Sequence, residues 1–216
     1  QMVPLHGKFI IDYPLETLKN IGITNLTIVL GGPHFSQIVS HVKDGSHLGM
    51  TVNYVFQEKP AGIAQAVNLC QKFVDDEFVV ILGDNIFDEP IKFSDSTDAQ
   101  IVLYNHEELY RFGVAGIDNS KKIKFLEEKP KSINSDFDYY AITGCYKFDS
   151  KFFEYFKDLK VSPRGEYEIV SIIEKYLEND KLSYTFASGL WSDAGTHETV
   201  NFLNYYFYQK SIKELK

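Results

Sequence analysis

Cysteine is scarce. Cys70 and Cys145 are the only two, too few for a disulfide framework or, by themselves, for a zinc site. Both sit inside apolar patterns, where a thiol reads as a small buried hydrophobe. No apolar run approaches the ~20 residues that a membrane span needs, and the first residues lack the layout of a signal peptide. A cytoplasmic chain with no membrane partner is the expectation. Cations are the minority: 22 Lys and Arg stand against 30 Asp and Glu, a net charge of −8. Without a Lys/Arg cluster the chain is poorly suited to a nucleic-acid backbone or an anionic lipid surface. Any phosphate must then be gripped locally, by a few placed cations with or without a metal.

Glycine and proline are scattered, so no linker stands out, and there is no repeat or low-complexity tract. The histidines show no ligand spacing such as HExxH, and neither a GxSxG elbow nor a complete Walker sequence occurs. What remains is ordinary globular material, 44% hydrophobic and 24% charged over 216 residues, enough for one large domain or two small ones.

The patterning is α/β. Ile10, Ile11, Pro14, Leu15, Leu18 and Ile21 recur at helical spacing, with Gly22 as a stop. Leu26–Leu30 reads as a strand apolar on both faces. A helix follows around Phe35–Val42, then a strand through Val52, Tyr54 and Phe56. Ile63, Val67, Cys70 and Phe73 give a second amphipathic helix, and Phe78–Leu82 is the strongest buried-strand signal. This alternation predicts a mostly parallel sheet flanked by helices. The second half is richer in strands: 101–104, 114–117, 123–126, 139–148 and 183–187. A helix is expected over about 166–177 and a long last one over about 197–215. The last helix carries Phe202, Leu203, Tyr205, Tyr206, Phe207 and Tyr208 with almost no polar face. Such a helix is buried on more than one side, which predicts a homo-oligomer.

Four short motifs could carry chemistry. Gly83-Asp84-Asn85 directly follows the strand Phe78–Leu82, where ligands of open α/β sheets bind and where a carboxylate can hold a hard cation. Glu127-Glu128-Lys129-Pro130 ends another strand. Pro163-Arg164-Gly165-Glu166 precedes a helix, and a guanidinium there would meet an anion at the positive helix end. Asp193-Ala194-Gly195-Thr196-His197 supplies a second carboxylate, with Thr196 as N-cap. Taken singly, each reads at least as simply as a turn or a charged element end.

Their order is more specific. The series Gln57-Glu58-Lys59-Pro60-Ala61-Gly62-Ile63-Ala64-Gln65-Ala66, Leu82-Gly83-Asp84-Asn85-Ile86-Phe87, Phe112-Gly113-Val114, Leu126–Pro130, Tyr140-Ala141-Ile142-Thr143-Gly144, Arg164-Gly165-Glu166 and Asp193–His197 resembles the sugar-1-phosphate nucleotidylyltransferases. Within them it is most similar to members that transfer thymidylyl groups to glucose 1-phosphate. The resemblance spans the chain and implies a Rossmann-like nucleotidyltransferase fold with an added β-rich sugar-binding lobe. It implies one domain over 1–216, with about 1–100 holding nucleotide and about 101–216 the sugar phosphate. The implied partners are a nucleoside triphosphate (dTTP or UTP) and a sugar 1-phosphate, and the implied cofactor is Mg2+. By motif, Gln57, Gly62, Leu82 and Asp84 would meet the nucleotide. Gly113, Glu128, Lys129, Thr143, Gly144 and Arg164 would meet the sugar phosphate. Asp84 and Asp193 would hold the metal, with Lys129 beside them in the catalytic set.

Two departures bear on the resemblance. The family opens with a strand and a glycine-rich loop carrying an Arg, then a Lys; neither occurs between Gln1 and Lys216, nor does the C-terminal extension that many short-form bacterial members use for assembly and allostery. Without the first strand, Leu26–Leu30 or Phe78–Leu82 should be exposed, and the chain as written should be poorly soluble and turn over slowly. A non-catalytic homologue that binds nucleotide-sugar as a regulator is the competing reading. Asp193-Ala194-Gly195 also stands where Asp-Thr-Gly is usual.

Overall fold

The computed structural model describes residues 1–94, 98–133 and 136–214. A small hairpin, β1 (Pro4–Leu5) and β2 (Lys8–Phe9), leads into helix α1 (Asp12–Ile21). Helix α1 buries Tyr13, Pro14, Leu15 and Leu18 and stops where Gly22 turns left-handed, φ 92°. Strand β3 (Asn25–Leu30), helix α2 (Phe35–Val42) and strand β4 (Thr51–Phe56) follow, with β3 and β4 paired in parallel. Helix α3 (Ile63–Asn68) is shorter than its apolar spacing suggests. Its last turns tighten, with the Cys70 N–H bonded to Val67 O three residues back at 2.9 Å, and Phe73 falls in a separate 3₁₀ turn.

Strands β5 (Glu77–Ile81), β7 (Ala99–Tyr104), β8 (Gly113–Ile117), β9 (Ile123–Glu128), β10 (Asp138–Asp149) and β11 (Leu182–Phe186) form one sheet; β6 (Asn85–Phe87) lies outside it. The pairing is mixed: β7–β11 is parallel and the remaining pairs are antiparallel. The long β10 organises the sheet, pairing with β8 through its first residues and with β5 through its last. The alternation of strand side chains sends Ile101, Leu103, Ile142, Tyr146 and Phe148 into one core. It sends Val102, Ala141 and Cys145 into a second core, which also holds Trp191. Helices α4 (Lys151–Lys157) and α5 (Ile169–Glu178) bury Phe152, Ile172 and Ile173 in the first. Both cysteine thiols are free and buried; burial pushes the Cys70 thiol up to about 11.

Helix α5 starts at Ile169 rather than near Glu166. The reason is a cross-connection: Tyr167 N–H donates to Ala61 O (2.8 Å) and Ala64 N–H to Tyr167 O (3.2 Å). These bonds hold Tyr167 against the loop before α3, and Glu168 is extended, with φ −72° and ψ 134°. Arg164 therefore lies in a turn, not at a helix N-terminus. Helix α6 (His197–Glu214) begins as expected, with Thr196 Oγ1 accepting from Thr199 N–H at 3.1 Å; Leu215 lies outside the described residues. Its Leu203 is fully buried, while Phe202, Tyr205 and Tyr208 are exposed.

The runs Leu26–Val29 and Phe78–Leu82 are only half-buried. Among the described residues β3 pairs with β4 alone and β5 with β10 alone, so each has an open edge. Between those edges lies a cavity of about 650 Å³ lined by Leu26–Leu30 and Phe78–Gly83. The two apolar runs look onto this cavity instead of onto a neighbouring strand.

Candidate active site

Two very short strands build the centre of the site. β6 (Asn85–Phe87) and β12 (Trp191–Asp193) pair antiparallel, with Asp193 opposite Asn85. This pairing brings residues over a hundred positions apart side by side, in strands where the local sequence suits turns. Ala194 N–H then bonds Asp84 O at 2.7 Å, locking the loops together. Both carboxylates converge on one point, the place a Cβ would occupy on Gly195. Asp193 Oδ2 lies 2.8 Å and Asp84 Oδ2 3.8 Å from it.

Asn85 fixes the arrangement. Its Oδ1 accepts from Gly144 N–H and from Trp191 Nε1–H, both at 2.8 Å. With the amide so oriented, Nδ2 donates to Asp84 Oδ1 at 2.9 Å. A Cβ on Gly144 would come within 2.7 Å of that amide, so only glycine permits the approach. Leu82 N–H bonds Gly144 O at 2.8 Å. One buried amide thus ties Asp84, the sheet at β10 and the strand that carries Asp193. Beside Gly144, the fully buried Thr143 Oγ1 has no hydrogen-bond partner among the described residues.

Arg111, which carries no motif in the sequence, joins Asp193. Its Nη2 spans both Asp193 oxygens at 2.9 and 3.0 Å, and its Nη1 bonds Glu108 Oε2 at 2.9 Å. Its guanidinium also lies over Phe112, 5.0 Å from the ring centroid. The only sequence signal was position, one residue before Phe112-Gly113.

A second cluster gathers Gly113, Glu128, Lys129 and Arg164. Gly113 pairs with Glu128 across β8–β9. Arg164 Nη1 bonds Glu128 Oε1 at 3.1 Å and lies 3.6 Å from Glu168; Nη2 is 3.5 Å from Glu166. Burial, then the neighbouring Glu168, raises the Glu128 carboxyl above its ordinary range, against the pull of Lys129 and Arg164. Lys129 has φ 49°, a left-handed backbone that is uncommon outside glycine and is held here by its N–H bond to Phe112 O at 3.0 Å.

The third group is Gln57 and Gly62. Gln57 follows β4, its backbone N–H bonded to Leu30 O at 2.8 Å and its side-chain amide donated to Gln65. Gly62 has φ 98°, and a Cβ there would meet the Tyr167 backbone at 2.5 Å; no other residue fits. Gln57 and Leu82 both line the cavity between β3 and β5. The structure therefore joins Asp84, Asp193, Leu82 and Gly144 in one bonded network and Glu128 with Arg164 in another, while Gln57 and Gly62 stand apart.

The donor set suits a hard cation that keeps most of its own shell. Two carboxylates converge, and no group of three or more Asp, Glu, His or Cys able to hold an ion gathers among the described residues. Mg2+ is typically held by one or two carboxylates plus water and phosphate oxygens.

Comparison with known proteins shows the family. The family described as nucleotidyl transferase matches residues 1–206. A glucose-1-phosphate thymidylyltransferase of Neisseria meningitidis is 32% identical over 211 residues, covering 93% of this chain and 72% of its own. The low-salt glycan biosynthesis nucleotidyltransferase Agl11 of Haloferax volcanii is 34% identical over 93% of this chain and 57% of its own. A Bacillus anthracis protein described as a glucose-1-phosphate thymidylyltransferase, solved with sucrose, superposes with a TM-score of 0.86. It is 41% identical, over 94% of this chain and 84% of its own. A UDP-glucose pyrophosphorylase solved with UDP-glucose shares the fold at 19% identity, with a TM-score of 0.77 over 97% of this chain and 90% of its own.

Proposed function

Since this chain belongs to the nucleotidyl transferase family and is a nucleotidyltransferase, we propose that it joins dTTP or UTP to glucose 1-phosphate, giving dTDP- or UDP-glucose and pyrophosphate. The observation that carries this reading is the convergence of Asp84 and Asp193 beside Gly195. The relatives named as glucose-1-phosphate thymidylyltransferases support the choice of sugar and base.

In this reading residues 1–100 serve the nucleotide and 101–216 the sugar phosphate. Gln57 pairs with the pyrimidine edge, Gly62 and Leu82 pack near base and ribose, and Gly113, Glu128, Thr143 and Gly144 line the sugar. Lys129 and Arg164 hold the sugar phosphate. Asp84 and Asp193 would hold Mg2+, which when bound offsets negative charge on the triphosphate. The attacking phosphate oxygen has a second pKa of about 6, so it is largely ionised at neutral pH and needs no general base. Its lone pair forms the new O–P bond at the α-phosphorus while the bond to the pyrophosphate oxygen breaks, the electron pair leaving with pyrophosphate. The work of the side chains is to align the two substrates and offset charge. We further infer a homo-oligomer working in the cytoplasm. Supporting the oligomer, Phe202, Tyr205 and Tyr208 line one side of α6 at 50%, 65% and 55% exposure.

The test is pyrophosphate release with a panel of nucleoside triphosphates and sugar 1-phosphates. Release that requires Mg2+, a pyrimidine triphosphate and glucose 1-phosphate supports the reading; release with a purine triphosphate alone overturns the base assignment. Nucleotide-sugar binding without release would identify a regulator instead.

A further inference from the structure

We propose that Arg111 is a resident counter-cation that competes with the metal for Asp193, so that metal binding is an exchange of partners. The proposal rests on the reading of Asp84 and Asp193 as metal ligands, and deepens it.

The geometry makes the competition direct. One nitrogen of Arg111, Nη2, bridges both Asp193 oxygens at 2.9 and 3.0 Å. A divalent ion approaching either oxygen meets a positive charge already seated there. The pair is partly shielded, with side-chain exposures of 24% and 17%, so the two cations repel through more than water alone. Asp84 differs: its Oδ1 accepts from the neutral Asn85 amide, which does not oppose a metal. Of the two carboxylates only Asp193 has a guanidinium laid across it.

Arg111 also has somewhere to go. Its Nη1 is bonded to Glu108 Oε2 at 2.9 Å, and Glu108 is half exposed. The guanidinium can leave Asp193 while keeping one carboxylate partner and its place over Phe112. Meanwhile Asp193 stays aimed, because Gly195 N–H donates to its Oδ2 at 3.3 Å and the β6–β12 pairing fixes its backbone. The arrangement neutralises Asp193 when no metal is bound and gives the carboxylate up when one arrives. That predicts weak binding of a free ion and a defined second seat for the arginine.

The test is a titration with Mn2+ alone, followed by the electron paramagnetic resonance signal of free Mn2+, on the purified chain and its variants. Arg111→Gln should bind Mn2+ about tenfold more tightly, the effect of removing one adjacent unit charge in a partly shielded site. Arg111→Lys keeps the charge and should stay near wild type. Glu108→Gln removes the second seat and should bind severalfold more weakly. Should Arg111→Gln fail to fold, Glu108→Gln decides: unchanged or tighter binding overturns the proposal. If Asp193→Asn abolishes Mn2+ binding while Arg111→Gln also weakens it, the metal site stands and Arg111 is only a support for Asp193, which overturns the competition. If Asp193→Asn binds as wild type does, the metal reading fails and the proposal fails with it.

Discussion

In the Asp84–Asp193 cluster one carboxylate of the two carries a guanidinium; in the Glu128–Arg164 cluster one guanidinium is shared among three carboxylates. Both lie within electrostatic reach of the buried Tyr146 hydroxyl, whose surroundings include Glu128 and Asp84. Yet the two are poised for opposite ligands. In the first, Asp84 is held by the neutral Asn85 amide while Asp193 already carries Arg111, so a cation arriving at their common point meets one open carboxylate and one occupied. In the second, all three carboxylates face Arg164, and in the proposed reading an incoming phosphate draws that guanidinium away from them. Burial and the neighbouring Glu168 raise the Glu128 carboxyl above its ordinary range there. Identical residue types thus acquire different tasks from geometry and desolvation.

The largest expected effect separates the clusters outright. Asp84→Asn and Asp193→Asn keep size and remove charge, and each should lower turnover by at least about 10²-fold while the thermal midpoint hardly moves. Unfolding with no separate loss of activity would return both residues to the role of turn formers. Next, Arg164→Ala and Lys129→Ala should raise KM for the sugar phosphate by about 10–100-fold, the worth of a charge-assisted bond. Gln57→Ala should instead weaken the triphosphate by about 1–3 kcal/mol. If all three raised KM for the same substrate only, the two-subsite comparison would collapse.

Smaller effects sharpen it. Trp191→Phe deletes one donor to Asn85 Oδ1 and should cost about 1 kcal/mol of stability, with a parallel loss of turnover if that amide aims Asp84. The smallest effect is a pH slope. Glu128 titrates higher folded than unfolded, so the folded chain holds more protons between those two values. Its contribution to stability is present below the unfolded value and is lost as pH rises through the folded one. Glu128→Gln should flatten that stretch of the stability curve; an unchanged slope would show that burial does not govern this carboxyl.

Much of this was legible in the sequence, for a physical reason. Ile101–Leu103 is an unbroken apolar run because the sheet is buried on both faces, and such a run reports a buried strand directly. The nucleotidyl transferase family was legible from the order of motifs alone. What escaped depended on contacts distant in sequence. Asn85–Phe87 and Trp191–Asp193 are three residues each, too short to show a period, and become strands only by pairing with each other. The start of α5 was misplaced because Tyr167 is claimed by Ala61 and Ala64, a tertiary constraint that local propensity does not contain. Helix α4 was missed because its Phe152-Phe153 pair sits in seven residues rich in aromatics, weak helix formers. Arg111 gave no signal, since a lone cation identifies its partner only once the chain is folded.

The central claim is that Asp84 and Asp193 share one divalent cation. Crystals grown with Mn2+ and a nonhydrolysable pyrimidine triphosphate, measured for anomalous scattering, test it most directly. The account predicts one peak at about 2.1 Å from an oxygen of each carboxylate, in front of Gly195, with phosphate oxygens completing the shell. A peak bound to the triphosphate that touches neither Asp84 nor Asp193 would contradict it.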